Sequence, residues 1–207
     1  MYKPKGLLGF VHLFLFLGGK KMQKEMLLDY LAESPVIAAI QESGWNDAIA
    51  SPAKIIFCLK ANLLTVKEHI KDAHESGKIV FIHIDLSDGI GKDKIGVEFL
   101  AKCGVDGIIS TRGNMVRLAK DMGLLTVQRF FALDSQGVSG ISELASASAP
   151  DFIEIMPGIA DKIISRFAND TIPVIAGGLI DTKIEVTNAL SKGAIAVSTG
   201  KKDLWYI

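Results

Sequence analysis

Net charge is what this sequence most plainly lacks: 23 lysines and arginines stand against 23 aspartates and glutamates. No overall field therefore draws the chain toward nucleic acid or an anionic membrane, and an anionic partner must meet a local patch. Cysteine is scarce. Cys58 and Cys103 lie far apart in apolar stretches, with no CxxC or Cys/His spacing, which argues against a zinc site or a disulfide scaffold and fits buried thiols in a reducing cytoplasm. The four histidines, His12, His69, His74 and His83, show no ligand spacing. His69 and His74, five apart, fall on different faces of a helix. No metal and no cofactor are expected.

A bilayer-spanning run is missing too, since a crossing helix needs about 20 apolar residues. Leu7 to Leu17 (LLGFVHLFLFL) follows Lys3 and Lys5 in the order of a signal peptide, but no small-x-small cleavage site comes after it. Met22 opens MQKEMLLDYLAESP, an amphipathic first helix that leads into the first strand. Residues 1–21 therefore read as an N-terminal extension upstream of the natural start, with a secretory leader or a membrane-surface anchor as alternatives. Residues 22–207 read as one cytoplasmic domain.

What is present in quantity is apolar residue, 49% of the chain, enough for a large core and too much for disorder. Eight short β-branched runs recur about every 23 residues, at Pro35–Ile40, Ile55–Leu59, Ile79–Leu86, Gly107–Ser110, Leu125–Phe130, Phe152–Ile155, Val174–Ala176 and Ala194–Ser198. A helical periodicity follows each run, so the unit is βα. Strands that are apolar throughout, such as IVFIHI, are buried on both faces, as in parallel sheets covered by helices. Eight such units fit a compact (β/α)8 TIM-type barrel better than an open doubly wound sheet. The last helix would be only a stub, Lys201–Ile207, so closure leans on the helix near Gln23–Ala32 to cover that side.

In a barrel the polar residues just after each strand form the C-terminal face, where chemistry sits. The seventh and eighth ends, VIAGGLI and AVSTGK, look like phosphate loops. Gly177 and Gly178 let backbone N–H groups approach an anion, Ser198 and Thr199 offer hydroxyls, and the stub after Gly200 points a helix dipole at the same spot. The alternative is that these glycines only make tight turns. His83 and Asp85 end the third strand on one face, before a loop whose Gly89-x-Gly91 is not a dinucleotide fingerprint. Arg129 and Glu154 stand on neighbouring strands at similar height, either as a structural ion pair or jointly holding a polar ligand. Lys60, just past the second strand, is the one lysine placed for a Schiff base, an anion contact or plain exposure. An acid–base pair of Asp85 and Glu154 is open, and no Ser/His/Asp arrangement is readable.

Taken together, ESPVIAAIQ, KIVFIHIDLSDGIGKDKIGVEFL, DGIISTRGNMVRLAKDMGLLTVQRFFALDS, PDFIEIMPGI, IPVIAGGLIDTKIEV and AVSTGKKDLW closely resemble the glycerol uptake operon antiterminator family, the glycerol-3-phosphate responsive antiterminators. The match runs from Glu33 to Trp205. The resemblance implies a barrel without turnover that binds glycerol 3-phosphate as effector and, so loaded, acts on the leader mRNA of glycerol genes to prevent transcription termination. It puts the phosphate on Gly177, Gly178, Ser198 and Thr199, and Asp85, Arg129 and Glu154 near the glycerol end. Three positions depart from the family's pattern: Gln41 stands where lysine is common, Lys60-Ala61-Asn62 replaces a glycine-containing turn, and Gly200 replaces a serine. The candidates for RNA contact are Lys92 and Lys94, Arg112, Arg117 and Lys120, and Lys201 and Lys202, although no RNP motif or aromatic platform accompanies them. The rival readings are a small phosphate-binding barrel enzyme acting on a phosphorylated metabolite, and a sensor that acts on a protein partner. Oligomeric state is not legible.

Overall fold

Residues 24–207 are described by a computed structural model, in which strand and helix alternate from Val36 onward. Helix α1 (Lys24–Glu33) leads into β1 (Val36–Gln41), α2 (Trp45–Ala50), β2 (Ile55–Lys60), α3 (Val66–Glu75), β3 (Ile79–His83), α4 (Lys94–Lys102) and β4 (Gly107–Ser110). The second half continues with α5 (Gly113–Asp121), β5 (Leu125–Phe131), α6 (Ser135–Ser148), β6 (Phe152–Met156), α7 (Asp161–Phe167), β7 (Val174–Gly177), α8 (Lys183–Ser191) and β8 (Ala196–Thr199). A 3-10 turn, Lys202–Tyr206, ends the chain. All neighbouring strands are parallel, and β8 pairs with β1 to close the barrel in sequence order. The expected (β/α)8 barrel is therefore the fold. The expectations for residues 1–21 and Met22 lie outside the described residues.

Burial on both faces of each strand explains the unbroken apolar runs. One face packs against the helices; the other fills the barrel, where Ile37, Phe57, Phe81, Ile109, Val127, Phe152, Ile175 and Ala196 form an inner core. Shape is matched across strands: a Cβ on Gly107 would lie 2.2 Å from the Phe81 ring, so the absent side chain leaves the room that Phe81 fills. Leu27 and Leu31 of α1 belong to this inner core, and Lys24 Nζ stands 5.5 Å from the ring of Phe152, the first residue of β6. Helix α1 thus closes the N-terminal end of the barrel and does not cover the seam beside β8, as its sequence position had led us to expect. The seam is covered by the 3-10 turn itself. Leu204 and Trp205 pack into the outer core, Trp205 donates its indole N–H to the Thr199 carbonyl at 2.8 Å, and Lys202 pairs with Asp47 of α2 at 2.5 Å.

The same end of the barrel carries carboxylate clamps. Asp106, immediately before β4, accepts the Val80 N–H of β3 at 2.8 Å and meets His74 Nε2 at 2.8 Å. Asp151, immediately before β6, accepts the Thr126 N–H and hydroxyl of β5 at 2.9 and 2.8 Å. Each fastens the start of one strand to its neighbour. Of the two cysteines, Cys58 is buried, with its thiol pushed up to about 12 chiefly by burial, whereas Cys103 is only half-buried.

The His74–Asp106 contact makes stability depend on pH with a definite sign. The Asp106 hydrogen bond raises His74 above its ordinary 6.5 against the opposing effect of burial, so its contribution is whole below that value and fades as pH rises through the raised one. The pair is partly exposed, and its worth is under about 1 kcal/mol. We expect the urea midpoint of His74→Ala to fall below that of the parent by more at pH 5.5 than at pH 9. Equal gaps at the two pH values would rule out the electrostatic contribution.

Candidate functional site

Two residues beyond the inner core, the strands turn polar. The inward positions that follow Phe81, Val127, Phe152 and Ala196 by the period of two are His83, Arg129, Glu154 and Ser198. Glu154 is the centre of this layer. It is fully buried, receives Arg129 Nε on Oε2 at 2.6 Å and Ser198 Oγ on Oε1 at 2.5 Å. Arg129 and Glu154 are register partners on β5 and β6, so the ion-pair reading of the sequence describes what the structure contains. The two also line one cavity.

The glycines after β7 follow from this centre. Gly177 is the register partner of Ser198, and a Cβ there would lie 2.3 Å from Glu154 Oε1 and 2.7 Å from Ser198 Oγ. Only a hydrogen atom leaves room for the Ser198–Glu154 bond. Gly178 has φ +77°, with Met156 Cε 2.6 Å from where a Cβ would stand, and Leu179 follows in the same left-handed region at φ 57°. The Gly158 N–H donates to the carbonyls of Gly177 and Gly178 at 2.6 and 3.0 Å, which fixes the loop after β6 beneath the loop after β7. The Thr199 hydroxyl donates to the Ile180 carbonyl at 2.7 Å and accepts the Lys201 N–H at 3.0 Å. In this state the Ser198 and Thr199 hydroxyl protons are thus already placed on protein acceptors, unlike the unengaged donors read from the sequence.

Between these loops lies a cavity of about 280 Å³. Arg129, Glu154 and Ser198 line it together with apolar Ala39, Leu59 and Met156, and the chain from Gly178 to Asp181 and from Thr199 to Lys201 completes the lining. Among the described residues, Arg129 spends only Nε on a protein partner, and Lys201 has no ion pair. The one buried carboxylate is already neutralised. The charged lining is Arg129 and Lys201 against Glu154 and the exposed Asp181, so placement rather than net charge favours an anion: the unspent guanidinium N–H groups and the Lys201 ammonium face the cavity, and the neighbouring backbone of the β7 and β8 loops can come close because Gly178 and Gly200 carry no side chain.

Gly177, Gly178, Ser198, Thr199, Gly200, Arg129 and Glu154 are thus brought together. Asp85 and Lys60 are not. The Asp85 carboxylate accepts the Thr111 N–H at 2.7 Å, the Ser110 and Thr111 hydroxyls at 3.0 Å, and Arg112 at 2.8 Å. Burial alone would raise its pKa, but these donors hold it below the usual carboxylate range. It organises the turn into α5 and does not line the cavity. Lys60 is half exposed and pairs with Asp88 at 3.2 Å, which is no setting for a desolvated amine. Gln41 is exposed at the end of β1.

The basic candidates are dispersed. Lys92 donates to the Ser87 carbonyl at 3.3 Å and Lys94 opens α4, so both stand after β3, with β1 and β2 separating them from Lys201 and Lys202 after β8. Arg112 is engaged with Asp85, and Lys202 with Asp47. Arg117 reaches the Ala147 carbonyl at 3.4 Å, and Lys120 reaches the Ala149 carbonyl and Asp151, which places both toward the N-terminal end of the barrel. Sequence reasoning missed the apolar wall of Ala39, Leu59 and Met156, although parity with Ile37, Phe57 and Glu154 carried the signal. The left-handed backbone of Leu179 had none.

If Gly177 is glycine to make room for the Ser198–Glu154 bond, Gly177→Ala forces that bond open. We expect it to lower stability by about 1–3 kcal/mol, as overpacking does, in a thermal or urea melt. An unchanged melt would mean that the close approach is not part of the folded state.

The residues of this chain have counterparts in known proteins. The sequence pattern of a family described as glycerol-3-phosphate responsive antiterminator matches residues 36–205. The Escherichia coli protein YgcP is 34% identical over 183 residues, covering 86% of this chain and 95% of its own length. The solved structure of a glycerol uptake operon antiterminator regulatory protein from Listeria monocytogenes is similar with a TM-score of 0.79 and 35% identity, over 83% of this chain and 95% of that one. A glycerol uptake operon antiterminator-related protein from Thermotoga maritima superposes with a TM-score of 0.74 and 33% identity, over 82% of this chain and 96% of that one. Aldolase barrels at 10–14% identity share the fold alone. With a match that runs from the first strand to the closing turn, this chain belongs to the glycerol-3-phosphate responsive antiterminator family.

Proposed function

We propose that this protein senses glycerol 3-phosphate in the cavity after β7 and β8 and, when loaded, binds the leader mRNA of glycerol genes and prevents termination of transcription. The observation that carries the first half is the cavity itself, which combines the Arg129 guanidinium, the Lys201 ammonium and two close-approach loops over a buried, already neutralised carboxylate. A phosphate monoester can accept from the free guanidinium N–H groups and the Lys201 ammonium on the side of the cavity away from the Asp181 carboxylate, and Ser198 and Thr199 sit within the same lining to turn toward it. Asp85 and Lys60 have no part in this reading. Gly200 has open space, its would-be Cβ 3.5 Å from the Ala39 carbonyl, so the missing serine hydroxyl is not excluded by packing.

The RNA half rests on family membership and on local charge. Four lysines, Lys3, Lys5, Lys20 and Lys21, and no acidic residue precede residue 24, so residues 24–207 carry a formal charge of −4. RNA contact must then come from a patch, and Lys92, Lys94 and Lys201 on the C-terminal face are the candidates least committed elsewhere. Ligand that orders the loops after β3 and β8 presents them together. We read the protein as a regulator without turnover. The rival, a small barrel enzyme, is favoured by the acidic Glu154 on the cavity wall; loss of glycerol 3-phosphate or triose phosphates on incubation, followed by product analysis, would decide for it.

Calorimetric titration tests the sensor: saturable binding of glycerol 3-phosphate, none of glycerol, and a loss of roughly 100-fold or more in Gly178→Asp, where a like charge meets the anion. Absence of binding would overturn the assignment. For the leader transcript, affinity rises with glycerol 3-phosphate and falls with salt, and alanine at Lys92, Lys94 or Lys201 flattens the salt slope by about 0.7 each. An RNA affinity indifferent to both ligand and salt would discard the RNA half.

A further inference from the structure

One buried polar group in the inward layer next to the cavity, itself not part of the cavity lining, remains unaccounted for. The His83 side chain is 2% exposed, and its Nδ1 is buried with no hydrogen-bond partner. The nearest carboxylate oxygen, Asp85 Oδ2, is 4.0 Å away, beyond hydrogen-bonding distance, and it already accepts from Ser110 and Thr111 while Oδ1 holds Arg112. An unsatisfied polar atom in the interior is costly unless something satisfies it. His83 ends β3 facing inward, one position of the two-residue period beyond Phe81, in the layer that contains Arg129, Glu154 and Ser198.

The charge state of the ring narrows what that something is. Burial first, and the Arg129 guanidinium second, push His83 down to about 4, against the smaller pulls of Asp85, Glu154 and its own main-chain carbonyl. At neutral pH the ring is uncharged. A neutral imidazole offers one donor and one acceptor and no charge for a phosphate. Its natural complement is a hydroxyl, which both donates and accepts. The cations and close-approach loops lie at the β7 and β8 ends, so a phosphorylated polyol with its phosphate there extends its carbon chain toward the inward layer.

We propose that His83 is a specificity-determining residue of the ligand site, exchanging a hydrogen bond between Nδ1 and a hydroxyl on the carbon chain of the bound phosphate monoester. This rests on the sensor reading above and adds to it the end of the ligand that is read and the residue that reads it. The bland alternative is a buried water bridging Nδ1 and Asp85. The two differ in what they touch: a water bridge supports the fold, whereas a hydroxyl reader distinguishes ligands.

The test compares glycerol 3-phosphate with 1,3-propanediol monophosphate, which keeps the phosphate and the chain length and lacks the middle hydroxyl. Calorimetry on the full chain is expected to give roughly tenfold or more preference for the hydroxylated ligand, the typical cost of leaving a buried polar group unpaired. In His83→Leu the preference shrinks to roughly threefold or less, while His83→Asn, which retains a polar atom near the Nδ1 position, keeps more of it. Should the leucine variant fail to fold, the ¹⁵N shift of His83 Nδ1 in the parent protein serves instead, moving on addition of glycerol 3-phosphate and not on addition of the propanediol ester. If both esters bind the parent equally, or the preference survives in folded His83→Leu, the role of His83 is overturned and the sensor reading stands. If neither ester binds, the sensor reading fails and this inference falls with it.

Discussion

A carboxylate placed inside a barrel sets the terms for everything near it. Glu154 is buried at the base of the cavity, and a buried charge left without a partner costs about 3–5 kcal/mol. The neighbouring strands answer that demand. Arg129 comes from one side with Nε, Ser198 from the other with its hydroxyl, and Gly177 withdraws its side chain so that the second bond can form. Arg129 in turn is held in place by the bond it donates, which leaves the rest of its guanidinium without a protein partner among the described residues, and it adds to the burial that already disfavours a charged His83. Arg129, Ser198 and Gly177, on three other strands, thus answer to one buried carboxylate.

The barrel divides its labour along its axis. At the N-terminal end the interior is apolar, stoppered by Leu27 and Leu31, and the strand starts are pinned from outside by Asp106 and Asp151. At the other end the interior is polar and the loops vary. Stability and recognition are therefore paid for by different residues, and the loops after β7 and β8 can hold unfavourable backbone, as at Leu179, because the layers beneath them are rigid.

Much of this was legible in the residues. The continuous apolar runs gave the parallel sheet, their spacing gave eight units, and Arg129 and Glu154 could be set on neighbouring strands at similar height, although their sharing a layer with Ser198 was not read. The Gly177–Gly178 pair at the end of the seventh strand and Gly200 after the eighth marked the loops that line the cavity. What could not be read was the partner of each polar side chain. Asp85 follows a buried strand as an active-site acid would, yet its carboxylate is consumed by the donors of Ser110, Thr111 and Arg112, which lie 25–27 residues onward. Lys60 and Lys202 likewise meet Asp88 and Asp47 only through folding. The destination of α1 was misjudged for a related reason: amphipathicity says that a helix buries one face, but not which opening of the barrel that face will fill.

Because α1 closes one end, the cavity is a cup with a single mouth. Whatever enters must leave by the way it came, past Leu179 and Lys201. Arrival and departure then share one gate, so a macromolecule seated on that rim after loading obstructs escape as well as entry. Under the proposed sensor function, the lifetime of the occupied state would be a property of the assembly on the rim rather than of the barrel alone, and a brief pulse of ligand would be remembered for as long as that assembly persists.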